Sequence, residues 1–285
     1  MKDYGSEDVK DTLRKLDIHQ KWNKSYINPE NEGFYEIATD RIVRALNAVP
    51  GSLILDAGCG NCSHSIRLAK RGFRCYSVDF SEQILKQADA YIREQRLQDR
   101  ITIKCEDITN LSFGNNSFEY IYCWGVLMHI PDLKKAVAEL CRVLKPGGRI
   151  VISEANMNSL HAILTYIIRK LIRNDNFQIK TTPRGREYWM KTPTGPIMAR
   201  KANIGYLIKT LKENNVVIRN RWAGQFTELY TRLPHPILRK PIHVWNEFWF
   251  RFVRFPQPAF GNILFGEKQG LKSKITVASP NPLSQ

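Results

Sequence analysis

The chain has 285 residues, of which 43% are apolar and 25% charged. That balance supports a buried core and excludes a wholly disordered or fibrous chain. The charge is unusual: 43 Lys+Arg against 27 Asp+Glu give a formal +16, with a pI near 9.7. Such an excess suggests a polyanionic partner, an acidic substrate or an anionic membrane surface, and equally suits a solvated face.

The first residues, MKDYGSEDVKDTLRK, contain no apolar signal-peptide region and too many acids for a mitochondrial presequence. No apolar run approaches the roughly 20 residues that span a bilayer. The expectation is a cytoplasmic protein, at most peripheral to the inner face of a membrane. The six cysteines all lie between Cys59 and Cys141, mostly within predicted strands, which suits reduced buried thiols. Cys59 and Cys62 form a C-x-x-C, but no second pair completes a ligand set, so no metal is expected.

In chain order, residues 6–18 and 33–48 have helical spacing, the second ended by Pro50-Gly51. Leu53-Ile54-Leu55 is a buried strand, followed by a helix from Ser63 to Arg71. Phe73–Val78 is a strand, and Ser81 caps a helix to about Leu97. Ile101–Cys105 and Phe118–Cys123 are further strands. Pro131 and Asp132 open a helix through Leu144, and Arg149–Ser153 is a fifth strand. Strands alternating with helices predict an α/β fold with a doubly wound, mostly parallel sheet. The strands are almost entirely apolar, as strands covered on both faces are. Beyond 156 the texture changes. An apolar stripe runs over 160–173, and residues 174–202 read as a long irregular insertion. A helix (203–213), a strand (216–222), a helix (about 241–253), a short strand (262–265) and a tail follow.

The constellation with chemical content is Leu53-Ile54-Leu55-Asp56-Ala57-Gly58-Cys59-Gly60-Asn61. A strand ends in a glycine turn that admits close backbone approach, and a helix N-terminus follows it. Asp56 lies at the strand end, where it can meet a cationic group. Asp79 ends the second strand 23 residues later, where a carboxylate can accept from ribose hydroxyls. Asp107 follows the third strand, where it can accept from an adenine amino group. Lys145-Pro146-Gly147-Gly148 precedes the fifth strand.

Together these resemble the class I, Rossmann-like S-adenosylmethionine-dependent methyltransferases. LDAGCGN is similar to the family's first motif and SVDFS to its ribose-binding strand end. CEDITNLSF is similar to its adenine-side motif and RVLKPGGRIVISE to its fifth-strand motif. The resemblance covers about residues 33–156. It implies S-adenosyl-L-methionine as cofactor, with Asp56, Gly58 and Gly60 at the methionine moiety and Asp79 at the ribose. Phe80 would pack on the adenine, with Asp107 and Ile108 at its amino edge and Trp124 beside the cofactor. Where the family often has a third glycine, this chain has Cys62. Ser63, where a dinucleotide fingerprint needs glycine, weakens a dehydrogenase reading.

The stretch Trp124-Gly125-Val126-Leu127-Met128-His129-Ile130-Pro131 stands where this family faces the methyl acceptor. It matches none of the nucleic-acid amino-methylating, arginine-methylating or metal-dependent subclasses, and resembles the small-molecule group. His129 is the general-base candidate, with Glu154 and His161 behind it. Trp22, Tyr26 and Tyr35 precede the core, where family members place a lid. Tyr188 and Trp189, with Met190, would give a cap in the 174–202 insertion its acceptor-facing wall. The resulting division is an N-terminal helical lid over 1–48, a cofactor core over 49–156, the rest of the fold with its basic cap over 157–267, and a tail over 268–285.

The charge divides unevenly. Residues 1–156 carry 22 Lys+Arg against 21 Asp+Glu, a net +1, and residues 157–285 carry 21 against 6, a net +15. Apolar stripes at 160–173 and 237–255 interleave with these cations. Each is read first as packing on the sheet or cap, and otherwise as lying in an anionic membrane interface. The expected acceptor is a small-molecule, glycan or lipid-linked compound, with an anionic one suited to the charge. RNA is a disfavoured alternative, and a non-catalytic cofactor-binding protein a further one. Oligomeric state is not legible.

Overall fold

The structure, a computed structural model, describes residues 5–171 and 177–270. Three helices come first: α1 (Ser6–Leu13), α2 (Leu16–Tyr26) and α3 (Pro29–Leu46). The helix expected over 6–18 therefore breaks at Arg14-Lys15 and resumes to Tyr26. The third starts four residues before the expected 33, because Asn28 caps it by accepting from the Asn31 N–H and Pro29 occupies its first turn.

The core follows the alternation read from the sequence. It runs β1 (Leu53–Ala57), α4 (Ser63–Lys70), β2 (Arg74–Asp79), α5 (Glu82–Glu94), β3 (Ile101–Cys105), β4 (Phe118–Trp124), α6 (Leu133–Val143) and β5 (Leu144–Ala155). Then come α7 (Leu160–Leu171), β6 (Phe177–Thr182), β7 (Gly185–Thr192), β8 (Gly195–Ala202), α8 (Ile204–Glu213) and β9 (Val216–Ala223). The described chain ends with α9 (Pro236–Phe248), a π turn (Trp249–Val253) and β10 (Gly261–Lys268).

Seven strands form one sheet in the order β3-β2-β1-β4-β5-β10-β9. Neighbours are parallel through β5, while β10 runs antiparallel to both β5 and β9. Period-2 alternation sends neighbouring residues into two cores. Leu55 and Ile121 pack on the α6 and α8 side, and Ile54 and Tyr122 on the α3, α4 and α5 side. The strand order reverses between β1 and β4, and the crevice beyond their C-terminal ends is where such sheets bind ligands.

Two expectations need correction. The insertion is not irregular: β6, β7 and β8 form a separate antiparallel sheet. Its turns are Thr182-Pro183-Arg184-Gly185 and Thr192-Pro193-Thr194-Gly195, a repeated Thr-Pro-x-Gly that leaves two-residue loops. The polar residues between them hid a strand period that these turns mark. The second correction concerns the apolar stripes. Leu160, Ile163, Leu164, Ile167 and Ile168 of α7 are exposed, as are Ile237, Leu238, Trp245, Phe248 and Phe252 further on. They do not pack on the sheet or the cap. Arg173 and residues 271–285 of the tail lie outside the described residues.

Candidate active site

Beyond the ends of β1 and β4 lies one cavity of about 500 Å³. Its walls come from α1–α3, the core loops, β7 and β8, α7 and the 224–232 segment.

At one end stands the glycine loop. The N–H groups of Gly58 and Cys59 both donate to the Val78 carbonyl, at 2.8 and 2.9 Å, which ties the loop to β2. Gly58 has φ +80°, and a Cβ there would stand 2.5 Å from Val126 Cγ1. Its lack of a side chain therefore admits the Val126 side chain from the β4 end. Gly60, at φ +53°, would point a Cβ into open space and forms part of the cavity wall. The Asp79 carboxylate accepts from the Gly60 N–H and the Ser81 N–H, each at 3.0 Å. Burial raises its pKa. Ser81 stands at the α5 N-cap, but its hydroxyl donates to the Arg14 carbonyl instead of capping the helix. Phe80 and Ile108 also line this end. Asp107 Oδ1 accepts from the backbone and hydroxyl of Thr109, and Oδ2 from Lys10 Nζ at 2.7 Å. Burial alone would raise the Asp107 pKa, and the Lys10 and Thr109 contacts outweigh it and lower it. Lys10 brings α1 over this end of the cavity.

Asp56 is placed differently from the rest. It is buried beneath the loop, off the cavity wall, and accepts from the Ser65 hydroxyl. Desolvation pushes its pKa up to about 7. Its bond to Ser65 ties α4 to β1.

A cofactor of the S-adenosylmethionine type fits this end. Each carboxylate offers about four acceptor positions. Asp79 uses two on the backbone, which leaves capacity for ribose hydroxyls. Gly60 leaves a cradle that a Cβ would fill, and Phe80 offers an aromatic side chain to an adenine. Trp124 closes the wall where β4 ends.

The other end is a chamber between the core and the cap. His129 ends a 3-10 turn, Leu127–His129, and its Nδ1 bonds the Met198 carbonyl of β8 at 3.0 Å. A carbonyl accepts only, so Nδ1 carries the proton and Nε2 is the acceptor of the neutral ring. Burial pushes the His129 pKa down to about 4. Trp22 stacks on the ring at 4.4 Å. Glu154, at the end of β5, accepts from the Leu127 N–H at 2.9 Å through Oε1, and Oε2 is buried with no partner among the described residues. Burial pushes its pKa up to about 8. His161 bonds Thr227 Oγ1 at 2.8 Å, and its pKa falls to about 4 on burial.

Tyr26 reaches this chamber and contacts Glu228 at 3.4 Å. Tyr188 reaches it too, with its buried hydroxyl unpartnered among the described residues and Arg169 over its ring. Trp189 does not. Alternation along β7 turns it to the opposite face, where it packs with Val9, Leu13 and Ile18 and donates to Glu187. Lys201 and Met190 occupy the cavity-facing positions instead.

Sequence reasoning missed Lys201, Glu228 and Arg232. No motif marks them, and only the paired strands of the cap and the turn after β9 bring them to the chamber. It also missed Arg200. This guanidinium, 1% exposed, reaches the carbonyls of Leu127, Ile130 and Pro131 and the Glu187 carboxylate, at 3.0 to 3.2 Å. It clamps the turn that carries His129.

Comparison with known proteins bears on this geometry. Residues 55–152 match the methyltransferase domain family. Over 210 residues the chain is 26% identical to methyltransferase GfsG of Streptomyces halstedii, covering 67% of this chain and 75% of that protein. Over 133 residues it is 37% identical to the ubiquinone biosynthesis O-methyltransferase of Idiomarina loihiensis, covering 46% of this chain and 51% of that one. The chain thus spans about half the length of that relative. Magnesium protoporphyrin IX methyltransferase of Synechocystis superposes with a TM-score of 0.62 at 18% identity, over 92% of this chain and 100% of that one. That likeness shows the shared fold. Residues 55–152 thus match a methyltransferase domain, and the sheet around them shares its fold with solved S-adenosylmethionine-dependent methyltransferases.

Proposed function

We propose that the chain moves the methyl group of S-adenosylmethionine to a small organic acceptor that carries an anionic group. The observation that carries this is one continuous cavity. It joins the glycine loop, Asp79 and Asp107 at one end to His129, Glu154, Lys201 and Arg232 at the other. When bound, the cofactor supplies a methyl group on a sulfonium, open to in-line attack. The protein's own contribution is approach geometry and exclusion of water. Asp79 would hold the ribose, Phe80, Asp107 and Ile108 the adenine, and Gly58, Gly60 and Trp124 the region of the methionine. Asp56 would act only through the loop above it.

Trp22, Tyr26 and Tyr188 supply aromatic walls for an acceptor. Lys201 and Arg232 supply cationic ones, with Glu228 as the opposing carboxylate. His129 Nε2 is placed to take a proton from an acceptor that must lose one, since the ring is neutral above about pH 4. The relatives named for quinone methylation and the Streptomyces methyltransferase support a small acceptor. In this reading residues 1–48 act as a lid, 49–156 as the cofactor core and 157–267 as the acceptor part.

The test is transfer of labelled methyl from the cofactor into a fractionated cell extract, with the Asp79→Asn protein as control. The expected result is label in small anionic compounds, together with at least roughly tenfold weaker S-adenosylhomocysteine binding by the variant, since a charged hydrogen-bond partner is lost. Label confined to RNA or protein would overturn the acceptor. Label in no pool, despite tight cofactor binding, would overturn the activity.

A further inference from the structure

Two helices carry apolar residues on the outside of the molecule, and both adjoin the acceptor chamber. On α7, His161, Thr165 and Arg169 recur every four residues and face the chamber. The opposite face presents Leu160, Ile163, Leu164, Ile167 and Ile168 to solvent, with Ile168 52% exposed. No acid occurs between Leu160 and Leu171, and Arg169 and Lys170 close the helix.

The second element is α9 with its π turn. Asn246 is buried and bonds both the backbone N–H and carbonyl of Thr227. Phe250 is buried against Phe34, with Arg41 over its ring. These two contacts fix the inward side. Ile237, Leu238, Val244, Trp245, Phe248 and Phe252 are left on the outward side, with Phe252 70% exposed. Between Leu233 and Phe255 the chain holds Arg239, Lys240, Arg251 and Arg254 against Glu247 alone. Thr227 joins the two elements, since its hydroxyl contacts His161 of α7 while its backbone is held by α9. Leu229, also exposed, begins the short turn that follows.

We infer that α7 and the α9–π-turn segment dock the protein on the surface of an anionic lipid bilayer. An amphipathic helix with Trp, Phe and Leu on one side and Lys or Arg around it lies in the plane of such an interface. No helix among the described residues is long and apolar enough to cross a membrane. Charge selects the bilayer over a second copy of this chain. Pairing two such faces would bring two cation-rich segments together, whereas anionic headgroups complement both. The docking also deepens the proposed function, and on that reading the acceptor is an amphiphile. The outward face of α7 would rest at the bilayer while its inward face lines the acceptor chamber.

The experiment is flotation of the full chain with vesicles of phosphatidylcholine alone or mixed with phosphatidylglycerol, without cofactor or acceptor. Its failure is therefore distinct from a failure of methyl transfer. The expected result is co-flotation with the mixed vesicles, weaker with the neutral ones and reduced by salt. Ile168→Glu and Phe252→Glu should each weaken it by roughly tenfold, the cost of losing one buried large apolar side chain. Their thermal transitions should not move, because both positions are exposed. Flotation by both variants like the unmodified protein, or no flotation of the unmodified protein, would overturn the inference. A concentration-dependent dimer that either substitution dissolves, without flotation, would overturn it too and assign the face to contact between copies.

Discussion

His129 and Glu154 line the same cavity, and burial drives their protonation in opposite directions because it disfavours whichever form is charged. The imidazole is held neutral down to about pH 4, and the carboxyl keeps its proton up to about pH 8. The chamber therefore offers a lone pair and an acidic proton over the same pH range. The arrangement has a stability consequence. The folded Glu154 value lies above the ordinary carboxylate value, so the native state binds the extra proton in between. Its contribution is fully present below the unfolded value and is lost as pH rises through about 8. Glu154→Gln keeps the shape and cannot ionise. Relative to the unmodified protein, it should gain stability as pH rises from 5 to 9, by on the order of 4 kcal/mol. Urea unfolding at the two pH values measures this, and parallel curves for the two proteins would sink the assignment. The histidines act in the opposite sense. His129 and His161 are held neutral on folding, so they cost stability as pH falls from the ordinary imidazole range toward 4.

The elements differ in how plainly the sequence announces them. The core from β1 to β5 is legible because its strands are short apolar runs and its helices have a 3.6-residue period, with turn residues between. The cofactor end is legible for the same reason: each of its residues is adjacent to a strand end. The cap sheet is not, since charged residues such as Lys180, Arg186, Glu187, Arg200 and Lys201 interrupt the apolar alternation of its strands and its pairing is set by two Thr-Pro-x-Gly turns. Trp189 shows the consequence, because one residue of register decides whether it faces the chamber or α1. Arg200 on the neighbouring strand is invisible to any motif, yet it gathers Glu187 and three carbonyls of the 127–131 segment. Replacing it should loosen the whole element. Arg200→Lys keeps the charge but not the fork of donors, and would leave buried acceptors unpaired. The expected loss is about 3 kcal/mol in chemical unfolding. If the turn depends on this clamp, exchange of the His129 amide should also speed up. A variant as stable as the parent would show that the carbonyls find other partners.

At the scale of the whole molecule, the cavity is where the N-terminal helices, the core and the cap sheet meet. Lys10 of α1 bonds Asp107 of the core, Trp22 of α2 stacks on His129, and Met198 of the cap accepts from that same ring. The near-neutral first part and the strongly basic second part therefore close around one space. A ligand confined to the glycine loop would order only the core. A ligand in a shared cavity should slow the opening of every wall, because local opening must first release it. Hydrogen exchange with and without S-adenosylhomocysteine separates these cases. The protection should appear at residues 58–63 and 79–81, and also at 10–22 in the N-terminal helices and 127–130 beside the cap. Protection restricted to the first two segments would mean that the N-terminal helices stand open during cofactor binding. The Lys10 to Asp107 contact would then be a feature of the free protein that the adenine displaces.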